Sequence, residues 1–81
     1  MARVLLFGRL SDVAGWRERP LDPAPATLAA LKALIGADNP ALAAALEAPG
    51  VQAAVNLILV RGDCALTAGA EVAFMPTMSG G

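Results

Sequence analysis

The apolar residues of this sequence occur in short runs, each closed by glycine, proline or a polar residue. The longest run, from Ala53 to Val60, is interrupted by Asn56. A membrane-spanning helix needs roughly 20 consecutive apolar residues, so we expect no membrane span and no membrane partner. Short runs are typical of small strands and helices around one core, and the length of 81 residues therefore predicts a single domain.

Charge and residue content exclude several classes of function. The formal net charge is −1 and the basic residues are scattered, whereas a nucleic-acid binder concentrates them in a patch. The chain has no His and a single Cys, Cys64, which argues against an internal disulfide, most zinc sites and the usual Ser/His or Cys/His nucleophiles. The same residue content leads us to expect no bound metal. The N-terminus shows no secretory leader pattern, so we expect a cytoplasmic protein.

The first part of the chain predicts two strands. Residues 3–8 are an apolar run closed by Gly8 and read as the first strand. From Gly8 to Trp16 we expect a turn-rich connection. Residues 17–22 form a second strand, and Pro20 confines it to an edge of the sheet because proline cannot donate to the ladder.

Two helices are expected in the middle of the chain. Thr27 is placed to cap the first helix and Gly36 to end it, while Asn39 and Pro40 predict the start of a second, shorter helix. The apolar residues of each helix share one face. They are Leu28, Leu31, Leu34 and Ile35 in the first helix and Leu42 and Leu46 in the second.

The remaining sequence predicts strands separated by turns. Residues 51–60 form either two short strands divided at Asn56 or one bent strand. A turn containing Gly69 precedes the last strand, Glu71 to Met75, which Pro76 ends. Because the last strand is apolar, we expect it inside the sheet. The order of elements predicts an α+β fold with helices on one face of a mixed sheet.

Both faces of that sheet are apolar near its centre, because side chains alternate along each strand. Two short helices can cover only one face. The other face therefore stays partly uncovered, and its residues are Leu5, Phe7 and Met75 or their neighbours of the opposite parity. An exposed apolar patch of this kind usually marks the binding site of a protein partner. The alternative is that Trp16 and the turn-rich connections fold over that side.

Five residues, 77–81, follow the last strand and end in Gly80-Gly81. Fully extended, they reach roughly 17 Å, and glycine lets a terminal carboxylate enter a channel too narrow for other residues. A carboxylate is a poor electrophile, so its chemistry would require activation, most simply as an acyl-adenylate made from ATP. Attack by sulfur would then give a thiocarboxylate, a good nucleophile. The alternative is an ordinary frayed terminus.

Five blocks of the sequence together resemble a known family over the whole chain. They are Val-Leu-Leu-Phe-Gly at 4–8, the helix from Thr27 to Ile35, Ala54-Val55-Asn56, the block from Leu66 through Gly69 to Pro76, and Ser79-Gly80-Gly81. The last two blocks are the most specific. The chain resembles the MoaD-type sulfur carriers, the small subunits of molybdopterin synthase, which are ubiquitin-like β-grasp proteins.

The resemblance implies a β-grasp domain at residues 1–76, with one main and one short helix on one face, and a flexible tail at residues 77–81. It implies that an E1-like adenylyltransferase uses ATP to adenylate Gly81 and that a sulfur donor protein supplies the thiocarboxylate sulfur. Gly81 then enters the large subunit of a heterotetrameric synthase and donates sulfur to a cyclic pyranopterin. The carrier itself is not an enzyme and binds no cofactor.

The resemblance also implies which residues act. Gly81, with Gly80 before it, carries the reacting group. The residues that it implies to contact partners are Phe7, Phe74, Met75, Pro76, Met78 and Ser79. Arg9 is added for a different reason: it follows the first strand close to the apolar face and is placed to form a salt bridge with a partner.

Two departures from the family pattern and three other functions remain open. The chain has Gly69-Ala70-Glu71 where many members have Gly-Asp-Glu, and Pro76-Thr77 where they have Pro-Pro. A related carrier could supply sulfur for thiazole, cysteine or thiolated tRNA. A protein modifier could join Gly81 to lysine, and a binding module would leave the tail inert.

Overall fold

The computed structural model describes residues 1–76. The predicted boundary between a domain at 1–76 and a tail at 77–81 therefore coincides with the end of the described residues, and the tail lies outside them. Eight elements follow one another along the chain. They are β1 (Ala2–Leu6), α1 (Arg9–Ala14), β2 (Glu18–Leu21), α2 (Leu28–Gly36), α3 (Pro40–Leu46), β3 (Gln52–Val55), β4 (Ile58–Val60) and β5 (Glu71–Met75).

The strands of residues 1–76 form one mixed sheet in the order β2-β1-β5-β3-β4. β5 lies at its centre, as predicted, parallel to β1 and antiparallel to β3. β2 is an edge strand, with Pro20 opposite Arg3 of β1, so the missing N–H of proline costs the sheet little. The α+β class and the mixed sheet expected from the sequence are confirmed.

All three helices pack on one face of the sheet. Val4 and Leu6 of β1 and Val72 and Phe74 of β5 alternate toward that face and are buried. The same core contains apolar residues of every helix: Leu10, Leu28, Leu31, Ile35, Leu42 and Leu46. Leu34 was wrongly assigned to the buried face of α2. It is 51% exposed, because it lies at the edge of the buried stripe, about 100° around the helix from Ile35.

The helix starts are capped as the sequence predicts. The Thr27 hydroxyl accepts a hydrogen bond from the Ala30 N–H at 3.1 Å, and the Asn39 side chain accepts one from Leu42 at 3.1 Å. Asp63 adds a cap from a distant loop, since its carboxylate accepts from the N–H groups of Ala29 and Cys64. These bonds satisfy amides that a helix start leaves without partners.

The connection between β1 and β2 was predicted wrongly. Instead of turns alone, it contains α1, which begins after Gly8 without a side-chain cap. A helix of six residues is marginal in water, and this one is held by burial of Leu10 and by packing beside α3. Its stability comes from tertiary contacts, which the local sequence does not signal.

Asn56 divides residues 51–60 into two strands rather than one bent strand. Asn56 and Leu57 have φ of 50° and 70° and form the two-residue turn between β3 and β4. The Asn56 amide donates to the Glu71 carbonyl at 2.8 Å, and its side chain accepts from the Glu71 N–H at 3.0 Å. The hairpin is thereby tied to the start of β5.

Candidate functional site

The parallel pairing of β1 and β5 brings the ends of both strands to the same edge of the sheet. Beyond the ladder, the Phe7 N–H donates to the Phe74 carbonyl at 3.2 Å. Gly8 follows with φ of 56°, and a Cβ built there would lie 3.1 Å from Cγ of Pro76. We call Phe7, Gly8, Met75 and Pro76 the tail base, because residues 77–81 continue directly from it.

The sheet face opposite the helices carries a continuous apolar surface. Strand register places Leu5 opposite Ala73, Ala73 opposite Ala54, and Ala54 opposite Leu59, all with the parity that points away from the helices. We call this surface the open face: Leu5, Phe7, Leu59, Ala73 and Met75, together with Ala54, a small residue that is itself buried between its neighbours. Phe7 is 47% and Leu59 59% exposed, so the predicted uncovered patch is present.

Charges border the open face at the end far from the tail base. Arg3 lies on the same face and forms ion pairs with Glu18 and Glu71. The three side chains are about half exposed, so the pairs contribute little stability. Among residues 1–76, no ion pair joins side chains of the tail base, which presents Phe7 and Met75 instead. The surface is thus polar at one end and apolar at the end where the chain leaves the sheet.

The alternative that Trp16 covers the open face is wrong. The Trp16 ring packs against the core on the helix side, and the Arg19 guanidinium lies 4.4 Å from the ring centroid, a cation–π contact. Trp16 is a packing residue at the rim of the core.

The structure brings together four of the predicted partner-binding residues. Phe7, Met75 and Pro76 meet at the tail base, and exposed Arg9 begins α1 beside them. Phe74 requires a correction, since its side chain is 0% exposed and belongs to the core. Strand alternation separates it from Met75, because neighbouring residues point to opposite faces.

The remaining predicted residues lie outside the described part of the chain. They are Met78, Ser79, Gly80 and Gly81. Sequence reasoning missed Leu59 as a member of the open face. The turn at Asn56 was the available signal, because a two-residue turn closing Val55 against Ile58 pairs Leu59 with Ala54.

Other polar groups of the described residues do not form a reaction centre. Cys64 is a free thiol, half buried and packed against the core. Residues 1–76 contain no group of three or more His, Cys, Asp or Glu side chains placed to hold a metal ion. In the same range, α2 is the longest helix with nine residues, and no helix has the length and hydropathy to cross a membrane.

Comparison with known proteins decides the family. The model of the ThiS family matches residues 4–81. The chain belongs to the ThiS family. The molybdopterin synthase sulfur carrier subunit of Escherichia coli (strain K12) is 37% identical to this ThiS-family chain over 81 residues, covering 100% of both proteins.

Solved structures give the fold of this ThiS-family protein. A crystal structure of SAMP1 from Haloferax volcanii matches with a TM-score of 0.78 and 33% identity, over 99% of this chain and 98% of that one. A second, titled H. volcanii small archaeal modifier protein 1, matches with a TM-score of 0.77 and 24% identity over 95% and 97%. The ubiquitin-like β-grasp fold expected from the sequence is confirmed.

Proposed function

We propose that this chain is the sulfur-carrying small subunit of a molybdopterin synthase, and that its reacting group is the carboxyl of Gly81. One structural observation supports the proposal most. The open face is uncovered and apolar, and it runs to the strand from which residues 77–81 continue. A partner that binds this face receives the tail at a defined place.

The chemistry follows from the state of a carboxylate. Its delocalised charge and poor leaving group resist nucleophilic attack. An E1-like partner transfers AMP from ATP to the Gly81 carboxylate and releases pyrophosphate. Hydrosulfide released by a donor protein then attacks the acyl carbon, the bond to AMP breaks, and AMP and a proton leave. The product is a thiocarboxylate, whose sulfur is the nucleophile that the next reaction needs.

The large subunit of the synthase is the second partner in this proposal. It binds the same open face and takes the tail into its own active site, where the thiocarboxylate sulfur attacks a cyclic pyranopterin precursor. Catalytic side chains belong to that subunit, since the carrier contributes only its terminus. The full-length identity with the E. coli sulfur carrier subunit favours molybdopterin over thiazole, cysteine or thiolated tRNA as the product.

Intact mass spectrometry of the chain isolated from its host tests the proposal. We expect a fraction of molecules heavier by the exchange of one oxygen for one sulfur. A variant lacking Gly81 is the control and should show no such fraction and no support of cofactor synthesis. Normal cofactor synthesis by the variant lacking Gly81 would contradict the proposal.

A protein modifier is the second candidate, favoured by the 33% identity with SAMP1 of Haloferax volcanii. Arg61 is the last basic residue, so trypsin would leave residues 62–81 on each modified lysine rather than Gly-Gly alone. Tryptic peptides carrying that branch on lysine would support the modifier. Sulfur at Gly81 without branched peptides supports the carrier.

A further inference from the structure

The two edges of the sheet differ in how they are protected against the addition of another strand. β2, at one edge, has the sequence Glu-Arg-Pro-Leu. Charged side chains and proline are what natural proteins use to keep an exposed edge from pairing with another chain. β4, at the other edge, has the sequence Ile-Leu-Val and contains neither. The edge at β4 is therefore open to a further strand.

The register of the hairpin determines which backbone groups of β4 point away from the sheet. Asn56 and Leu57 form a two-residue turn that closes Val55 against Ile58, and the closing pair of such a turn is hydrogen-bonded. Because bonded and non-bonded pairs alternate along an antiparallel ladder, the N–H and C=O of Leu59 point to the free edge. Within residues 1–76, neither group has a hydrogen-bond partner.

Three consecutive large apolar side chains lie at this edge. Leu57 is 90%, Ile58 68% and Leu59 59% exposed. Leu59 belongs to the open face, and Ile58 points to the opposite side of the sheet. Apolar surface is thus exposed on both sides of β4, beside a backbone that can still form hydrogen bonds. A strand paired with β4 would cover both.

We propose that β4 pairs antiparallel with β4 of a second copy of this chain, about a two-fold axis through Leu59. The Leu59 N–H of each copy donates to the Leu59 carbonyl of the other. Ile58 of each copy lies opposite Val60 of the other. Leu57 comes close to Arg61 of the other copy, and the aliphatic stem of the arginine covers it. Every contact occurs twice, as in an isologous interface.

Charge favours a second copy as the occupant and selects the register. An edge without charges gives a foreign strand no electrostatic selection, whereas two copies of β4 bring no charge to the axis. With the axis at Leu59, the two Arg61 residues are four positions apart along the strands, about 13 Å. That separation exceeds the Debye length of about 8 Å at physiological ionic strength. An axis at Val60 would halve it.

The pairing joins the two five-stranded sheets into one, with both open faces on the same side, because the axis is perpendicular to the sheet. β5 is the third strand from the axis, about 12 Å away at the usual strand spacing, so the tail base stays accessible. A strand of three residues buries far less area than a stable dimer needs, so we expect a Kd of about 1 mM. The association is independent of whether Gly81 carries sulfur.

Amide NMR of the full chain over a concentration series tests the pairing. Between about 20 µM and about 2 mM, we expect the amide shifts of Ile58 to Arg61 to move with concentration, Leu59 the most, and the rotational correlation time to rise. Shifts of β4 that stay constant would overturn the proposal and leave the edge to a strand of a different protein. Changes confined to Phe7 and Met75 would also overturn it, because they would assign self-association to the open face alone.

Leu59→Pro is the sharper test, because it removes the outward N–H without removing a bond to β3. We expect the hairpin to persist and the concentration dependence to disappear. Glu18→Pro is the matched control at the other edge. The Leu6 N–H donates to the Arg17 carbonyl at 2.9 Å, so the next pair, Leu5 with Glu18, is not hydrogen-bonded. The Glu18 N–H therefore also points outward, and its loss should leave self-association unchanged.

If Leu59→Pro proves unfolded, Leu59→Lys serves instead. The strand backbone is kept, but two ammonium groups meet at the axis, where paired Cα atoms are about 5.5 Å apart, and an edge lysine opposes strand addition. Leu34→Lys, which adds the same charge at a 51% exposed leucine of α2, is its control and should associate like the unsubstituted chain. Undiminished self-association of Leu59→Lys, or of a folded Leu59→Pro, would overturn the proposal.

Discussion

Single residues with positive φ control the geometry at both ends of the open face. Gly8 turns the chain at the tail base, where a Cβ would lie 3.1 Å from Cγ of Pro76 and would require the ring to move slightly. At the opposite edge, Leu57 adopts φ of 70° although it is not a glycine. An L-residue pays for this conformation in steric energy, so both positions allow quantitative tests by substitution.

The first test replaces Gly8 by alanine. Alanine at this positive φ lowers the free energy of unfolding by about 1–2 kcal/mol. Its Cβ also pushes the Pro76 ring away from residue 8. Gly15→Ala is the matched control, because Gly15 has φ of 84° and open space around it. Denaturant unfolding should show a loss in both variants, and only Gly8→Ala should change the chemical shifts of Met75 and Pro76. If both variants had the same chemical shifts for Met75 and Pro76, contact between the new Cβ at residue 8 and Pro76 would be ruled out.

The second test replaces Leu57 by glycine. Leu57 is 90% exposed, so few contacts are lost, while relief of the left-handed backbone and the Asn-Gly turn preference stabilise the hairpin. We expect the free energy of unfolding to rise by about 0.5–1 kcal/mol. Leu57→Ala keeps the strain and serves as the control. If Leu57→Ala raised the free energy of unfolding by the same amount, the cause would be removal of the exposed leucine side chain and not relief of backbone strain.

At the scale of elements, the sequence predicts a helix or strand well when the residues that stabilise it are close in sequence, and poorly when they are distant. α2 and α3 carry their own caps, and β5 is bounded by Gly69 and Pro76, so these elements were predicted correctly. α1 was missed, because it has no side-chain cap and depends on packing beside α3. Whether Phe74 or its neighbour Met75 is buried was left open, since only the sheet register decides which parity faces the helices.

Asp63 joins two elements that are distant in sequence. Its carboxylate bonds the Ala29 amide at 2.8 Å, which ties the loop after β4 to the start of α2. Asp63→Ala should lower the free energy of unfolding by about 1–2 kcal/mol, as loss of a helix cap does. Asp38→Ala, at an exposed site between α2 and α3, should change it by less than about 0.5 kcal/mol. Thermal or urea unfolding measures both, and a similar loss at both sites would deny Asp63 a capping role.

At the scale of the whole molecule, helices on one side and an open face on the other make the domain two-sided. The helix side buries the large apolar residues and stabilises the fold. The open face contributes little to that core and is therefore free to bind partners. Substitutions on the two sides should separate stability from binding.

Phe7→Ser tests this separation. Phe7 lies at the tail base and is large and half exposed, which is typical of a residue that dominates binding energy. We expect the Kd for the large subunit of molybdopterin synthase to rise roughly 30-fold or more, with the melting temperature nearly unchanged. Leu34→Ser, at a similarly exposed leucine on the helix side, is the control and should leave the Kd as it was. Calorimetric titration measures both, and equal effects would exclude the open face as the docking surface.

The central position of β5 has a consequence for how the protein is made. β5 is the last of the five strands to leave the ribosome, and until it does, β1 and β3 have no shared neighbour on which to assemble. Assembly of this sheet must therefore wait until β5 has been translated. A product cut short before residue 71 lacks Ala73 and Met75 and the strand that joins β1 to β3, so a prematurely terminated chain cannot assemble the open face.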